Sequence, residues 1–293
     1  MKKRISDLTI GLIVIIVSVF LIFIMAVSLR KKPGDSIKIP SGGSYVGIIE
    51  LNGTILSSRK IVNLFERYGE SSSVKAVVFR INSPGGAIAP SQEIYNAVKR
   101  IRDSGKPVVV SMSTVAASGG YYAACGADTI IANPGTTTGS IGVIAEIPNV
   151  SGLLKKIGVS FTVVKSGRFK DTGTPYRDMS QAERAYLQSW INDAFSQFVE
   201  VVSKERNIPK KKLLKIADGR VFTGRQAKKL GLVDLLGDFH DAVNLAAKLG
   251  GIQGKPELLR ERKRNLTLLD LMMQKAEGVL RGLNGMIFLY RFN

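Results

Sequence analysis

The fold class that this sequence predicts is α/β, and three observations predict it. Short runs rich in β-branched residues recur along the chain, each bounded by Gly, Pro, Ser or Asn. Segments with apolar residues at helical spacing separate them, and strands alternating with helices pack as a sheet with helices on its faces. Two of the runs end in glycine turns, Asn82-Ser83-Pro84-Gly85-Gly86 and Ala116-Ala117-Ser118-Gly119-Gly120. Hydrophobic residues make up 45% of the 293 positions, ample for a sizeable core.

The chain opens with Lys2, Lys3 and Arg4, followed by Leu8 to Leu29, an uncharged apolar run of 22 residues. At about 1.5 Å per residue a helix of that length crosses the ~30 Å hydrocarbon core of a bilayer. A cleavable signal peptide has an apolar region of only about 7 to 15 residues. The run therefore reads as a retained transmembrane helix, although Ala26-Val27-Ser28 resembles a weak cleavage site. Arg30, Lys31 and Lys32 follow it, so positive charge flanks both ends and does not set the orientation. Residues 1–32 are expected to be a membrane anchor. Residues 33–44, with three glycines and two prolines, are expected to be a linker.

A compact domain is expected over 45–250. Val46 to Leu51 reads as a strand, Ile61 to Tyr68 as a short helix and Ala76 to Ile81 as the next strand. Ile94, Ala97, Val98 and Ile101 make Ser91 to Asp103 a helix. Val108 to Met112 is the strand before Ser118, and Tyr121 to Cys125 continues as a helix of small side chains. Thr129 to Ala132 and Phe161 to Lys165 read as strands, with a helix over Ser151 to Ile157 between them. After the loop from Ser166 to Pro175, Ser180 and Glu183 form a capping box. That helix is expected to run to about Arg206, with Tyr186, Leu187, Trp190, Ile191, Ala194 and Phe198 on one apolar face. Thr223 and Gln226 form a second capping box, and Gly231 ends the short helix it starts. Leu232 and Val233 begin a brief extended segment, and Phe239 to Leu249 is the last helix. Residues 251–293 form a basic tail in which Leu266, Leu269, Met273, Leu280, Leu283 and Ile287 suit an amphipathic helix, either loosely ordered or lying on a membrane or another subunit.

The net charge of +19 asks for an anionic partner. The basic residues are scattered, and no zinc-knuckle, aromatic RNA-binding or helix-turn-helix pattern accompanies them, so lipid headgroups are favoured over nucleic acid. The single cysteine, Cys125, excludes an intrachain disulfide and reads as a packing residue. Without a His/Cys cluster or a Walker loop, neither a metal nor a nucleotide cofactor is expected.

Ser118 lies where a strand becomes a helix, a place where free backbone N–H groups stabilise an anion beside the serine oxygen. Either glycine turn alone is accounted for by close packing. Together they can supply both halves of an oxyanion hole. A serine nucleophile needs a base. The only histidine, His240, stands at a helix start in Asp238-Phe239-His240-Asp241 and reads as a surface or capping residue. A lysine in an apolar pocket loses its proton more readily and can serve instead. Lys170 and Lys165 are both candidates, and composition does not choose between them.

The segments already quoted, together with Thr138-Gly139-Ser140-Ile141-Gly142-Val143, Lys165-Ser166-Gly167-Arg168-Phe169-Lys170-Asp171 and Asp218-Gly219-Arg220-Val221-Phe222-Thr223-Gly224-Arg225-Gln226-Ala227, resemble the signal peptide peptidase A (SppA) family in its short, single-module form. The resemblance runs from about Tyr45 to Leu249. It implies a ClpP/crotonase-like fold and a membrane-bound serine endopeptidase that degrades remnant signal peptides and similar apolar peptides outside the cytoplasm. It further implies Ser118 as nucleophile, Lys170 as general base, Ser140 orienting the lysine, and N–H donors from Gly85 or Gly86 and from Gly119. It implies a homo-oligomer in which Ser118 of one subunit meets Lys170 of the next. A general membrane quality-control protease of the same fold is the alternative. A crotonase-type acyl-CoA enzyme leaves the anchor and Lys170 unexplained, and an inactive peptide-binding scaffold is the remaining reading.

Overall fold

The strand Val74–Ser83 has no exposed apolar face: Ala76, Val77, Val78, Phe79 and Ile81 are all fully buried. A strand achieves this only inside a sheet covered on both sides. The structure is a computed structural model that describes residues 42–261, the backbone of 288–291, and Gly11 and Ser18. The expected anchor, apart from those two residues, lies outside the described residues, as do most of the linker and most of the basic tail. Among the described residues no helix is long and apolar enough to cross a membrane.

In chain order the elements are β1 (Tyr45–Asn52), α1 (Arg59–Glu70), β2 (Val74–Ser83), β3 (Gly85–Ala87), α2 (Ile88–Asp103), β4 (Val108–Ala117), α3 (Gly119–Ala124), β5 (Thr129–Ala132), β6 (Thr137–Gly139), β7 (Ile144–Ala145) and α4 (Ser151–Lys156). They continue with α5 (Gln181–Glu205), α6 (Lys210–Leu213), β8 (Val221–Thr223), α7 (Gly224–Lys229), β9 (Leu235–Leu236), α8 (Phe239–Leu249), β10 (Glu257–Arg260) and β11 (Phe288–Arg291). The main sheet has the order β10-β1-β2-β4-β5-β9, parallel throughout. β6 pairs in parallel with the far end of β4, and β8 runs antiparallel to β6. A second, antiparallel sheet has the order β3-β11-β7.

Side chains alternate across the main sheet, so each strand feeds two cores. On one face Val46, Ile48, Ala76, Val78, Val109 and Ile131 pack against Ala242, Val243, Ala246 and Ala247 of α8. On the other, Phe79 meets Phe65 of α1 edge-on at a centroid distance of 5.1 Å. Burying each such large side chain stabilises the fold by about 1.5–3 kcal/mol. The architecture is thus mixed α/β with a parallel-rich sheet.

Two expectations are corrected. Phe161 to Lys165 is not a strand but exposed, irregular chain, with Val164 96% exposed. Alternating β-branched residues suit any extended segment, and among the described residues this one pairs with no strand; Phe161 instead stacks on Tyr176 at 4.3 Å. In α5 the residues Leu187, Ala194 and Phe198 are buried as expected, but Tyr186 and Trp190 are 49% and 37% exposed. The first half of the apolar face is therefore only partly covered within this chain.

Candidate active site

Strand register brings the predicted site residues of the sheet to one place. Ser83 at the end of β2 stands opposite Ala116 of β4, and Ala117 stands opposite Gly139 of β6. Ser118 and Ser140 are the next residues along, so they leave adjacent strand ends side by side. The Ser118 N–H donates to the Gly139 carbonyl at 2.8 Å, and Thr138 Oγ1 donates to the Ala116 carbonyl at 2.7 Å, locking β6 to β4 at this point.

Ser118 has φ 52° and ψ −119°, a conformation that L residues rarely adopt. Its carbonyl accepts the Tyr122 N–H at 2.8 Å, the first turn of α3. Strain of this kind costs roughly 1–3 kcal/mol and persists only where the surroundings enforce it. They do so here: Ala116, Ala117, Ser118, Tyr121, Ala123 and Ala124 are all wholly buried. The Tyr121 hydroxyl donates to the Leu232 carbonyl at 2.9 Å. Ser140 is also left-handed, with φ 50°, is 5% exposed, and donates its N–H to the Arg220 carbonyl at 2.9 Å.

The other glycine turn is separated into two roles by its hydrogen bonds. The Gly85 N–H donates to Ser83 Oγ at 3.2 Å. On the side of the turn facing Ile55, the Ile55 N–H donates to the Gly85 carbonyl at 2.8 Å and the Ala87 N–H to the Ile55 carbonyl at 2.7 Å. Gly86, between them, faces β11 with its own peptide groups, Tyr290 being its register partner. A Cβ at Gly86 would come within 2.2 Å of the Ile55 carbonyl oxygen, so no other residue fits this approach. Ser83, whose role here the sequence did not suggest, therefore engages the Gly85 N–H, while the Gly86 peptide groups face β11.

Among the described residues, two buried side-chain oxygens make no hydrogen bond: Ser118 Oγ and Thr174 Oγ1. One belongs to the serine turn and the other to the loop that carries Lys170. The structure does not join Lys170 to Ser118 within this chain. Lys170 is exposed, and its backbone N–H closes a turn onto the Gly167 carbonyl at 3.1 Å. Lys165 is engaged elsewhere, donating to the Asp171 carboxylate and to the Arg168 carbonyl at 3.2 Å. His240 is exposed at the start of α8, where its backbone N–H donates to Asp238 Oδ1 at 2.7 Å. Cys125 is buried in packing, and burial pushes its thiol up to about 12. Among the described residues no group of three His, Cys, Asp or Glu side chains could hold a metal ion.

A strained, buried serine between a sheet and a helix, with glycine N–H groups beside it, is the arrangement of a serine hydrolase. Comparison with known proteins narrows this to peptide-bond chemistry. The model of the family described as Peptidase family S49 matches residues 100–253, a span that contains Ser118, Ser140 and Lys170. A Synechocystis sp. protein provisionally named a protease is 46% identical over 205 residues, 70% of this chain and 74% of that one. A provisionally named signal peptide peptidase SppA of Enterococcus faecium is 42% identical over 179 residues, 61% of this chain and 52% of that one. The chloroplastic serine protease SPPA of Arabidopsis thaliana is 31% identical over 258 residues, 85% of this chain and 38% of that one. The chain belongs to the S49 (SppA) family and is a serine peptidase.

Proposed function

We propose that the protein is a membrane-anchored endopeptidase of ClpP/crotonase-like fold whose Ser118-Lys170 dyad degrades released signal peptides and similar apolar peptides. The observation that carries this reading is Ser118 Oγ itself: fully buried, held on a left-handed turn, and without a hydrogen bond among the described residues. In the proposed reaction Lys170 takes the proton from Ser118 Oγ as the oxygen attacks the scissile carbonyl. The Gly86 and Gly119 N–H groups receive the developing oxyanion, each stabilising it by roughly 3–4 kcal/mol. Lys170 then protonates the leaving amine, and a water activated by the same amine releases the acyl-enzyme. Ser140, one residue beyond the β4-β6 pairing, supplies an oxygen that orients the amine.

An extended substrate is supported by β11, whose backbone runs antiparallel between β3 and β7, with Leu289 opposite both Ala87 and Ile144. β11 itself takes the strand position beside Gly86, and a substrate peptide would replace it there as an added strand, which frees the Gly86 N–H for the oxyanion. An oligomer with shared sites is supported by the exposure of Leu153 (60%), Ile157 (61%), Phe161 (56%) and Phe169 (40%) around the lysine loop. A neighbouring subunit that covers this face would take Lys170 into its own serine pocket. The apolar run Leu8 to Leu29 supports the anchor, with the catalytic domain on the extracytoplasmic side.

The test is peptide hydrolysis and fluorophosphonate labelling by the full chain beside its Ser118→Ala and Lys170→Ala variants. Both substitutions are expected to abolish turnover, and labelling should disappear with Ser118. A Lys170→Ala protein that turns over normally removes the dyad. Apolar peptides should be cut in preference to charged peptides of equal length; equal cleavage of both favours a general quality-control protease instead.

A further inference from the structure

One charged cluster takes no direct part in that chemistry. Residues 157–170 are exposed throughout, and burial begins again at the residue after Lys170. Asp171 has a side chain only 10% exposed, and Glu183, at the start of α5, one only 4% exposed. A single guanidinium joins them. Arg177 Nε donates to Asp171 Oδ2 at 3.0 Å, Nη1 to Glu183 Oε2 at 3.0 Å, and Nη2 to Glu183 Oε1 at 2.5 Å. Nη2 also reaches the Asp171 backbone carbonyl at 3.4 Å, and Nη1 donates to the Asp178 carbonyl at 3.0 Å. Glu183 accepts in addition from the Ser180 N–H at 2.9 Å, Ser180 Oγ at 2.8 Å and Thr172 Oγ1 at 3.3 Å. Arg177, followed by the Ser180 backbone, holds the Glu183 carboxyl well below the usual carboxylate range.

This is more than a surface ion pair. Two nearly buried carboxylates share one planar fork, and the fork grips Asp171 at both its carboxylate and its carbonyl. Lys170 is the adjacent residue, its Cα about 3.8 Å from that of Asp171. On its other side the turn to Gly167 restrains it, and Phe169 stacks on Tyr186 of α5 at 5.2 Å. The root of the lysine stalk is therefore held on both sides, and on the Asp171 side the hold runs through Arg177 to the capped end of α5.

We propose that Arg177, with Asp171 and Glu183, is a positioning residue for the catalytic lysine: a clamp that fixes where Lys170 projects from the domain without touching substrate. The inference rests on the reading of Lys170 as general base. It deepens that reading by naming what aims the base.

The experiment is a double-mutant comparison on the full chain, with kcat, KM and thermal midpoint measured for each protein. Arg177→Lys keeps the charge and removes the fork. It is expected to lower kcat by about 10- to 100-fold, the scale of a misplaced reacting group, with KM changed less than about twofold. In a Lys170→Ala background, with activity partly restored by added alkylamine, the same substitution should leave the restored rate unchanged, because the residue it acts through is gone. An equal fold loss in both backgrounds, an unchanged kcat in the wild-type background, or an effect confined to KM overturns the clamp. If Arg177→Lys does not fold, Asp171→Asn, which preserves shape, enters the same comparison with the same expected results. Lys170→Ala is measured first: normal turnover there overturns the base assignment and the clamp with it, whereas a dead Lys170→Ala beside a fully active Arg177→Lys overturns the clamp alone.

Discussion

The serine turn and the lysine loop are built on opposite plans. Ser118 stands at the end of a central strand, wholly buried, with its position over-determined by the Gly139 carbonyl, the first turn of α3 and the register of three adjacent strands. Lys170 stands in irregular, exposed chain whose anchors are the turn to Gly167, the stack of Phe169 on Tyr186 and the charged cluster centred on Arg177. A nucleophile that must sit within hydrogen-bond reach of oxyanion donors needs the rigidity of a sheet. A base that must reach another surface is better carried on a projecting loop, provided the root of the loop is fixed. The contrast places precision on the serine side and, in the proposed oligomer, leaves the lysine side to be completed by a neighbouring subunit.

The largest expected effect sets Lys170 against Lys165. Lys170→Ala should lower kcat by roughly 10²–10⁴-fold, the usual contribution of a general base, while Lys165→Ala should retain most activity because its ammonium already serves Asp171. Loss of activity in Lys165→Ala alone would exchange the two roles. Next comes the serine side: Gly86→Ala introduces a Cβ 2.2 Å from the Ile55 carbonyl oxygen and should displace the proposed oxyanion donor. A loss of about 10²–10³ in kcat with the circular dichroism spectrum retained is expected. A Gly86→Ala protein at wild-type rate would move the donor elsewhere.

Mixing Ser118→Ala with Lys170→Ala subunits, after dissociation and reassembly, should recover part of the wild-type activity if sites are shared. Confirmed subunit exchange without recovery would return the dyad to a single chain. A smaller effect concerns pH. Glu183 is held ionised by Arg177, so its folded-state pKa lies below the unfolded value of about 4.3. Its stabilisation is present above that unfolded value and is lost as pH falls through the folded one. Wild-type thermal midpoints should therefore drop on acidification below about pH 5, whereas Glu183→Gln should start lower at pH 7 and fall less. Parallel curves would show that the carboxylate carries no such linkage. Smallest of all, His240→Ala should leave kcat within about twofold and affect only the start of α8.

Local chemistry was legible in the sequence because it acts over a few residues. The capping boxes at Ser180 and Thr223 are present as expected, with Glu183 and Gln226 as their partners, and Gly231 has the left-handed φ of 80° that a helix-ending glycine supplies. The strand Thr129–Ala132 and the helix Phe239–Leu249 have the expected bounds, since their apolar spacing and their ends are both written in adjacent residues. Ser118, at a run of small residues between a strand and a helix, was legible for the same reason.

What only the tertiary structure decided depends on partners distant in sequence. Phe161 to Lys165 has the composition of a strand, yet among the described residues it pairs with none, and Phe161 stacks on Tyr176 instead. The short strands β3, β6 and β8 carry no periodicity of their own and exist because β4, β11 and one another supply their hydrogen bonds. Gly85 and Gly86 are equivalent as letters, and it is Ser83 Oγ and β11 that separate them, one taking the Gly85 N–H and the other facing the Gly86 peptide groups. The sequence by itself determined the capped starts at Ser180 and Thr223, which residues are buried in the central strands and which serine stands at the turn, because caps, periodicity and glycine turns are local, whereas it missed α6 and placed the start of α2 at Ser91 rather than Ile88. Tertiary structure alone decided that Ser83, Ser118 and Ser140 converge and that Arg177 roots the lysine loop, because strand register and ion pairing are fixed by groups that meet only when the chain has folded.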